Sequence, residues 1–434
     1  QDGTRLAGKI WLPENAEERP VPAVLEYIPY RKRDFKAVRD TEIHGYFAGH
    51  GYAGVRVDLR GSGDSEGILR DEYLQQELDD GIEVIRWLAK QSWCTGDVGM
   101  IGISWGGFNG LQIAALQPPE LKAVITVASS DDRYADDVHY MGGAMLTDNL
   151  SWASTMFAYN SCPPDPQVVG EKWKEMWLER LEGSGLWLKK WLEHQRRDAY
   201  WKHASVCEDY EAIQCPVFAI SGWADGYSNT VFRLLENLKV PRKGMIGAWG
   251  HKYPHMGGPG PVIDFLNEAV RWWDQWLKGK NTGVKDDPML LAWMQDTVSP
   301  ISSKRPGHWV SEQSWPAPGI RQQSWNILFG TLNKDEKAAQ DMELTIQSPL
   351  SVGLFAGKWC SYSESTDLPS DQREEDGGSL IFDTPVLEKD LEILGAPRLE
   401  LELVSDKPVA QVAARISDVA PNGRATRVTY GLLN

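Results

Sequence analysis

The chain has 434 residues, a formal charge of −16, five cysteines and 20 tryptophans. That length allows two or three domains with substantial cores, and the charge argues against nucleic acid or an anionic membrane surface as a partner. No run approaches the eighteen apolar residues of a membrane helix.

Cys94, Cys162, Cys207, Cys215 and Cys360 are an odd, scattered set without metal spacing. They favour a reducing compartment, so a cytoplasmic setting is expected; the opening stretch from Gln1-Asp2-Gly3 does not itself read as a basic and apolar leader, so export is not expected. Residues 4–12 alternate like a strand, and 23–27 and 52–58 read as two more. A helix follows, with Leu74, Leu78, Ile82, Ile85 and Leu88 on one face. Val98-Gly99-Met100-Ile101 is short and apolar enough for a buried strand. Residues 107–116 read as a helix stopped by Pro118-Pro119, and 121–128 as the next strand. This alternation predicts a doubly wound, mostly parallel sheet.

From 129 to 203 the rhythm breaks into a helical insertion, expected to cap the sheet. Trp173, Trp177 and Leu181 share one face, and Trp187, Leu188, Trp191 and Leu192 another. The strand pattern resumes at 216–221, followed by a helix over 228–238 and a strand over 244–248. A long helix then carries Phe265, Leu266, Ala269, Trp273 and Leu277 on one side. Gly279-Lys280-Asn281-Thr282-Gly283 is linker-like. Beyond it Met342, Leu344 and Ile346 alternate, as do Leu399, Leu401 and Leu403, with an acidic loop at 370–379 between them. The expected partition is a doubly wound core of 1–128 plus 204–283, a cap of 129–203, and a β-sandwich of 284–434.

Gly102-Ile103-Ser104-Trp105-Gly106 joins the apolar strand to the helix behind it. A serine pinched between strand and helix by glycines is a nucleophile elbow, the signature of an α/β-hydrolase sheet. A second match, Gly63-Asp64-Ser65-Glu66-Gly67, is flanked by charges and opens no apolar helix, so Ser65 reads as a turn residue. A serine hydroxyl needs a base, and the base an orienting acid. In this fold they follow in the order Ser, Asp or Glu, His. Asp225, in Gly222-Trp223-Ala224-Asp225-Gly226, and His251, after Trp249-Gly250, occupy the ends of the two later strands where acid and base belong. The oxyanion takes one donor from the Trp105 amide and needs a second from the loop after an early strand, where Tyr30 lies. From the residues alone, Tyr30 packed beside Pro29 is the plainer reading.

These motifs resemble the cocaine-esterase and Xaa-Pro dipeptidyl-peptidase family of serine hydrolases over essentially the whole chain. Pro29-Tyr30, Asp58-Leu59-Arg60-Gly61-Ser62-Gly63-Asp64-Ser65-Glu66-Gly67, Trp93-Cys94, the elbow, Gly222 to Gly226 and Gly250-His251 carry the resemblance. Gly395-Ala396-Pro397 and Asp418-Val419-Ala420-Pro421-Asn422-Gly423 extend it into the sandwich, expected to be jelly-roll-like. The resemblance implies Ser104 as nucleophile, Asp225 as acid, His251 as base and Tyr30 as side-chain oxyanion donor. It places the Ser65 loop outside the chemistry. Trp105 stands where the family often has tyrosine, and a large amino-terminal helical domain like that of longer prolyl dipeptidases is not expected. The family's sandwich would continue past Gly431-Leu432-Leu433-Asn434, so an incomplete sandwich with an open edge is expected, and association into a homo-oligomer is left open.

The expected activity is cleavage of a small ester or amide through an acyl-enzyme. The alternative is an inactive hydrolase core that binds through its sandwich. His251 and His255 stand at i and i+4, but Pro254 argues against a helix and no Glu follows the first His. Neither metal nor other cofactor is therefore expected. Trp223 and His255 are expected at the pocket. The acidic run Asp131-Asp132-Arg133 with Asp136-Asp137 reads by default as a solvated face. Its functional reading makes Asp131 and Asp132 a rim for an ammonium-bearing substrate.

Overall fold

The computed structural model describes residues 2–335 and 342–434. Its centre is a nine-stranded sheet in the order β1-β3-β2-β4-β5-β8-β9-β10-β11. The first half comprises β1 (Gly8–Trp11), β2 (Val21–Tyr27), α1 (Ala37–Gly49), β3 (Ala53–Val57), α2 (Gln75–Ala89), β4 (Cys94–Ile103), α3 (Trp105–Ala115) and β5 (Leu121–Val127). β3, β2, β4 and β5 run parallel, and β1 lies antiparallel on β3. Apolar runs such as Ala23-Val24-Leu25 and Val124-Ile125 are buried, as expected of parallel strands covered on both faces. α1 packs with α10 and α2 with α3 against the sheet. Two glycines permit close contact: a Cβ on Gly99 would come within 2.8 Å of Trp273, and one on Gly110 within 3.1 Å of Val124.

The insertion is helical, as the sequence predicts, apart from one small hairpin. It holds β6 (Tyr140–Met141), β7 (Ala144–Met145), α4 (Asp148–Asn160), α5 (Pro166–Val169), α6 (Trp173–Gly183), α7 (Trp187–Glu193) and α8 (Ala199–Lys202). Trp187, Trp191 and Trp201 are buried in it, and Trp187 reaches Trp105 of the elbow at 6.2 Å. The sheet resumes with β8 (Val217–Gly222), α9 (Ser228–Asn237), β9 (Arg242–Gly247) and α10 (Phe265–Trp276).

The Gly279–Gly283 stretch, taken from sequence as a boundary, does not end the sheet. β10 (Leu290–Gln295) pairs parallel to β9, and β11 (Gly307–Glu312) antiparallel to β10. Farther on lie the antiparallel pairs β12 (Asn326–Ile327) with β13 (Leu332–Asn333) and β14 (Val412–Val419) with β15 (Ala425–Leu433). α11 (Arg373–Asp376) makes one helical turn inside the acidic loop. The alternating stretches at 342–346 and 399–403 form no strands in the described residues. Alternation defines a face, but a strand also needs a neighbour for its peptide groups. Leu399, Leu401 and Leu403 have none and stay 47–57% exposed. No described helix is long and apolar enough to cross a membrane.

Candidate active site

Ser104 follows β4, beside the point where strand order reverses, so its hydroxyl stands outside the carboxyl ends of the parallel strands. Its backbone has φ 57° and ψ −129°, a conformation that costs a non-glycine residue energy. A Cβ on Gly102 would come within 2.2 Å of the Gly106 carbonyl carbon, so only glycine fits there. The bend is held by Ser104 N–H donating to Val127 O at 2.9 Å and by Gly107 and Phe108 N–H donating to Ser104 O at 2.8 and 3.0 Å.

The Tyr30 hydroxyl reaches Ser104 Oγ at 3.3 Å and also meets the Trp105 backbone N–H. The two groups expected to hold an oxyanion therefore meet each other beside Ser104 Oγ. Burial holds the Tyr30 phenol protonated well above its ordinary range, so it remains a donor. The Trp105 indole points away, donating to the Glu77 carboxylate from full burial. Burial, opposed by hydrogen bonds from Trp105 and Asn109, pushes the Glu77 carboxyl up to about 8.

His251 Nδ1 lies 3.1 Å from Asp225 Oδ1, and Ser221 Oγ donates to Asp225 Oδ2 at 3.3 Å. Ser104 and His251 line one narrow cavity with Glu72, Tyr73, Asp137, Val138, Trp152, Tyr227, Cys360 and Tyr362. The segment around residues 359–363 braces the loops that carry Asp225 and His251. Ser361 O accepts from His251 N–H at 2.5 Å, the Tyr362 ring stands edge-on to the imidazole at 5.5 Å, and Trp359 lies so close to Gly226 that a Cβ there would meet it at 2.5 Å.

Asp131, Asp132, Trp223 and His255 are not brought to this cavity. Asp131 is buried, held by Arg233 at 2.5 Å and by the Tyr210 hydroxyl. Asp132 accepts from the Tyr134 and Ala135 amides and pairs with Arg197 at 3.2 Å. Both are tied up in internal bonds, and Asp131 departs from the solvated face expected by default because it is buried against residues far along the chain. Arg133, however, turns inward to stack beside Tyr73, Tyr200 and Trp201. The Trp223 indole donates to Trp293 O at 2.7 Å, and His255 stacks on Phe265 at 5.8 Å.

The acids that do line the cavity are Glu72 and Asp137. Glu72 accepts from His139 Nε2 at 2.9 Å and from the Trp152 indole. Burial works against a charged His139, but the Glu72 charge and hydrogen bond outweigh it and raise its pKa. Asp137 Oδ1 accepts from the Tyr227 hydroxyl and the Val138 amide, both at 2.7 Å, and burial pushes the carboxyl up to about 6. Asp137 belongs to the acidic run read from sequence; Glu72 belongs to no motif.

Ser65 is buried, its Oγ donating to Asp58 O at 2.7 Å and accepting from Ala7 N–H at 2.9 Å. Lys32 Nζ bridges Asp58 and Asp64 at 2.8 and 2.6 Å, bracing the same loop.

Residues 2–253 match the family model of the X-Pro dipeptidyl-peptidase (S15 family), and 282–434 that of the X-Pro dipeptidyl-peptidase C-terminal non-catalytic domain. The chain is similar to a cocaine esterase of Rhodococcus sp. (strain MB1 Bresler), 23% identical over 480 residues that cover 100% of this chain and 81% of the relative. It is also similar in structure to an α-amino acid ester hydrolase, with a TM-score of 0.68, 20% identity and coverage of 100% of this chain and 80% of that one. A CocE/NonD family hydrolase from Staphylococcus aureus gives a TM-score of 0.61 at 23% identity; the match covers 77% of this chain and spans 58% of that chain. These likenesses agree with an α/β-hydrolase core followed by a β-sandwich domain.

Proposed function

The chain belongs to the S15 family of X-Pro dipeptidyl-peptidases, and on that premise we propose that it cleaves small esters or amides through an acyl-enzyme on Ser104. The observation that carries this reading is the meeting of Ser104, the Tyr30 hydroxyl and the His251–Asp225 pair around one cavity. In this mechanism His251 takes the hydroxyl proton as Ser104 attacks the carbonyl carbon, and Asp225 steadies the resulting imidazolium. The Tyr30 hydroxyl and Trp105 amide hold the oxyanion of the tetrahedral intermediate, where charge develops. His251 then protonates the leaving group, and water releases the acyl group by the same steps in reverse.

Asp137 and Glu72, which line the cavity, replace Asp131 and Asp132 as the carboxylates proposed to receive a substrate ammonium. An ammonium about 4 Å from one carboxylate gains roughly 1 kcal/mol in water and several times more in a partly dry cleft. We retain as a proposal the partition into a core of 1–128 plus 204–283, a cap of 129–203 and a carboxy-terminal part of 284–434. In that partition the core borrows β10 and β11 from the carboxy-terminal part.

A fluorophosphonate probe tests the nucleophile: the native chain should label and Ser104→Ala should not. An inactive binding protein would leave both unlabelled. For the substrate class, an α-amino ester should be cleaved faster than its neutral acyl isostere, and Asp137→Asn should shrink that preference. Equal specificity constants for the two esters in the native chain would leave a general acyl esterase.

A further inference from the structure

The thiol of Cys360 stands beside the proposed acid and base. Its Sγ lies 3.9 Å from Asp225 Oδ1, and that carboxylate lies 3.1 Å from His251 Nδ1. The three ligand atoms fall within 4.8 Å of one another on buried residues, and no other His, Cys, Asp or Glu set converges this way among the described residues. A tetrahedral zinc ion with bonds of about 2.0 Å to nitrogen and oxygen and 2.3 Å to sulfur needs its O and N about 3.3 Å apart and its O and S about 3.5 Å apart. The O–N and O–S separations differ from these by a few tenths of an ångström; the S–N pair, within 4.8 Å, must close toward about 3.5 Å by rotation of the Cys360 and His251 side chains. One nitrogen, one oxygen and one thiolate sulfur suit zinc, cobalt or cadmium rather than magnesium or calcium. His251 and Cys360 line the cavity, which gives an ion a way in. Burial and the carboxylates of Asp225, Asp148 and Asp137 hold the thiol protonated until an entering cation offsets their charge.

We propose that Asp225, His251 and Cys360 form an inhibitory site for a zinc-class divalent cation. On binding, the Cys360 thiol gives its proton to solvent and a metal–thiolate bond forms. The His251 Nδ1 proton leaves, the hydrogen bond to Asp225 breaks, and the ring takes a proton at Nε2 instead. The imidazole stays neutral, so one proton is released per ion. An imidazole protonated at Nε2 has no lone pair left to accept a proton from Ser104, and turnover stops.

Binding is read without turnover, so this proposal and the acyl-enzyme reading fail separately. The full chain, Cys360→Ser and Cys360→Ala are titrated with Cd²⁺ while the ultraviolet thiolate-to-cadmium band is followed. Zn²⁺ inhibition of p-nitrophenyl acetate hydrolysis is measured in parallel, each variant scaled to its own uninhibited rate. The native chain should show one equivalent of band intensity that both variants lack, and inhibition that EDTA reverses. In both variants inhibition should weaken by about tenfold or more, the scale seen when even an outer partner of a metal site is lost. An unchanged cadmium band in the variants, or an unchanged Zn²⁺ midpoint in Cys360→Ser, would overturn the site.

Discussion

Glu77 lies on α2 behind the elbow, buried, accepting a hydrogen bond from the Trp105 indole. Burial raises its carboxyl from an ordinary 4.5 to about 8. The sign follows from linkage: the folded chain holds this proton at pH values where the unfolded chain has released it. Stability contributed below pH 4.5 is therefore lost as pH rises toward 8. At pH 7 the loss spans about 2.5 pH units at 1.36 kcal/mol each, or about 3 kcal/mol. Glu77→Gln keeps an acceptor for the indole and carries no charge, so it escapes the loss. Melting temperatures of the two proteins should nearly coincide at pH 5 and diverge toward pH 8. The variant should melt several degrees higher at pH 7, at roughly 2 °C per kcal/mol for a domain of this size. Glu77→Leu strands the indole N–H and should destabilise by about 1–3 kcal/mol at pH 5, where the native carboxyl is protonated. A difference between native and Glu77→Gln melting temperatures that stays constant from pH 5 to pH 8 would refute the reasoning.

Ser104→Ala should abolish nearly all turnover while Ser65→Ala keeps most of it, since Ser65 is bonded to Asp58 and Ala7 in the loop; steady-state rates that rank the two in the opposite order would reverse the choice of nucleophile. Tyr30→Phe removes the proposed oxyanion donor and should lower kcat by about 10²–10³ with KM little changed, so near-native kcat would exclude the phenol from the mechanism. Asp131→Asn leaves Arg233 with Asp136 alone and should destabilise by about 2 kcal/mol. This lies below the roughly 3–5 of a fully buried pair because Arg233 is partly solvated. Its ratio of specificity constants for α-amino over neutral esters should stay native, and a collapsed ratio would return Asp131 to the substrate.

The proposed triad could be read from the chain because each member sits at the end of a strand whose apolar run is plain: Val98 to Ile101, Val217 to Ile220, Met245-Ile246. Tyr30 needed the family motif, since nothing in Ile28-Pro29-Tyr30-Arg31 separates a packed phenol from a donor. Asp131 and Asp132 do not reach the cavity, because spacing along an irregular segment does not reveal which carboxylates face it. Asp131 meets Arg233 from a helix 102 residues away, and Asp137, six positions on, turns to Tyr227. Glu72 and Cys360 carried no local signal at all; only tertiary folding brings residue 360 to residue 225.

The bond from His251 N–H to Ser361 O and the seat of Trp359 against Gly226 also bear on how such proteins can be recombined. A carboxy-terminal part grafted from a relative must supply a main-chain oxygen at the same point and an indole of the same fit, or the imidazole drifts from Asp225. Crossovers near residue 282 should therefore yield mostly folded but idle chimeras. Libraries that keep both sides of that seam from one parent should retain activity far more often. Inheritance would act on the two parts as a single unit.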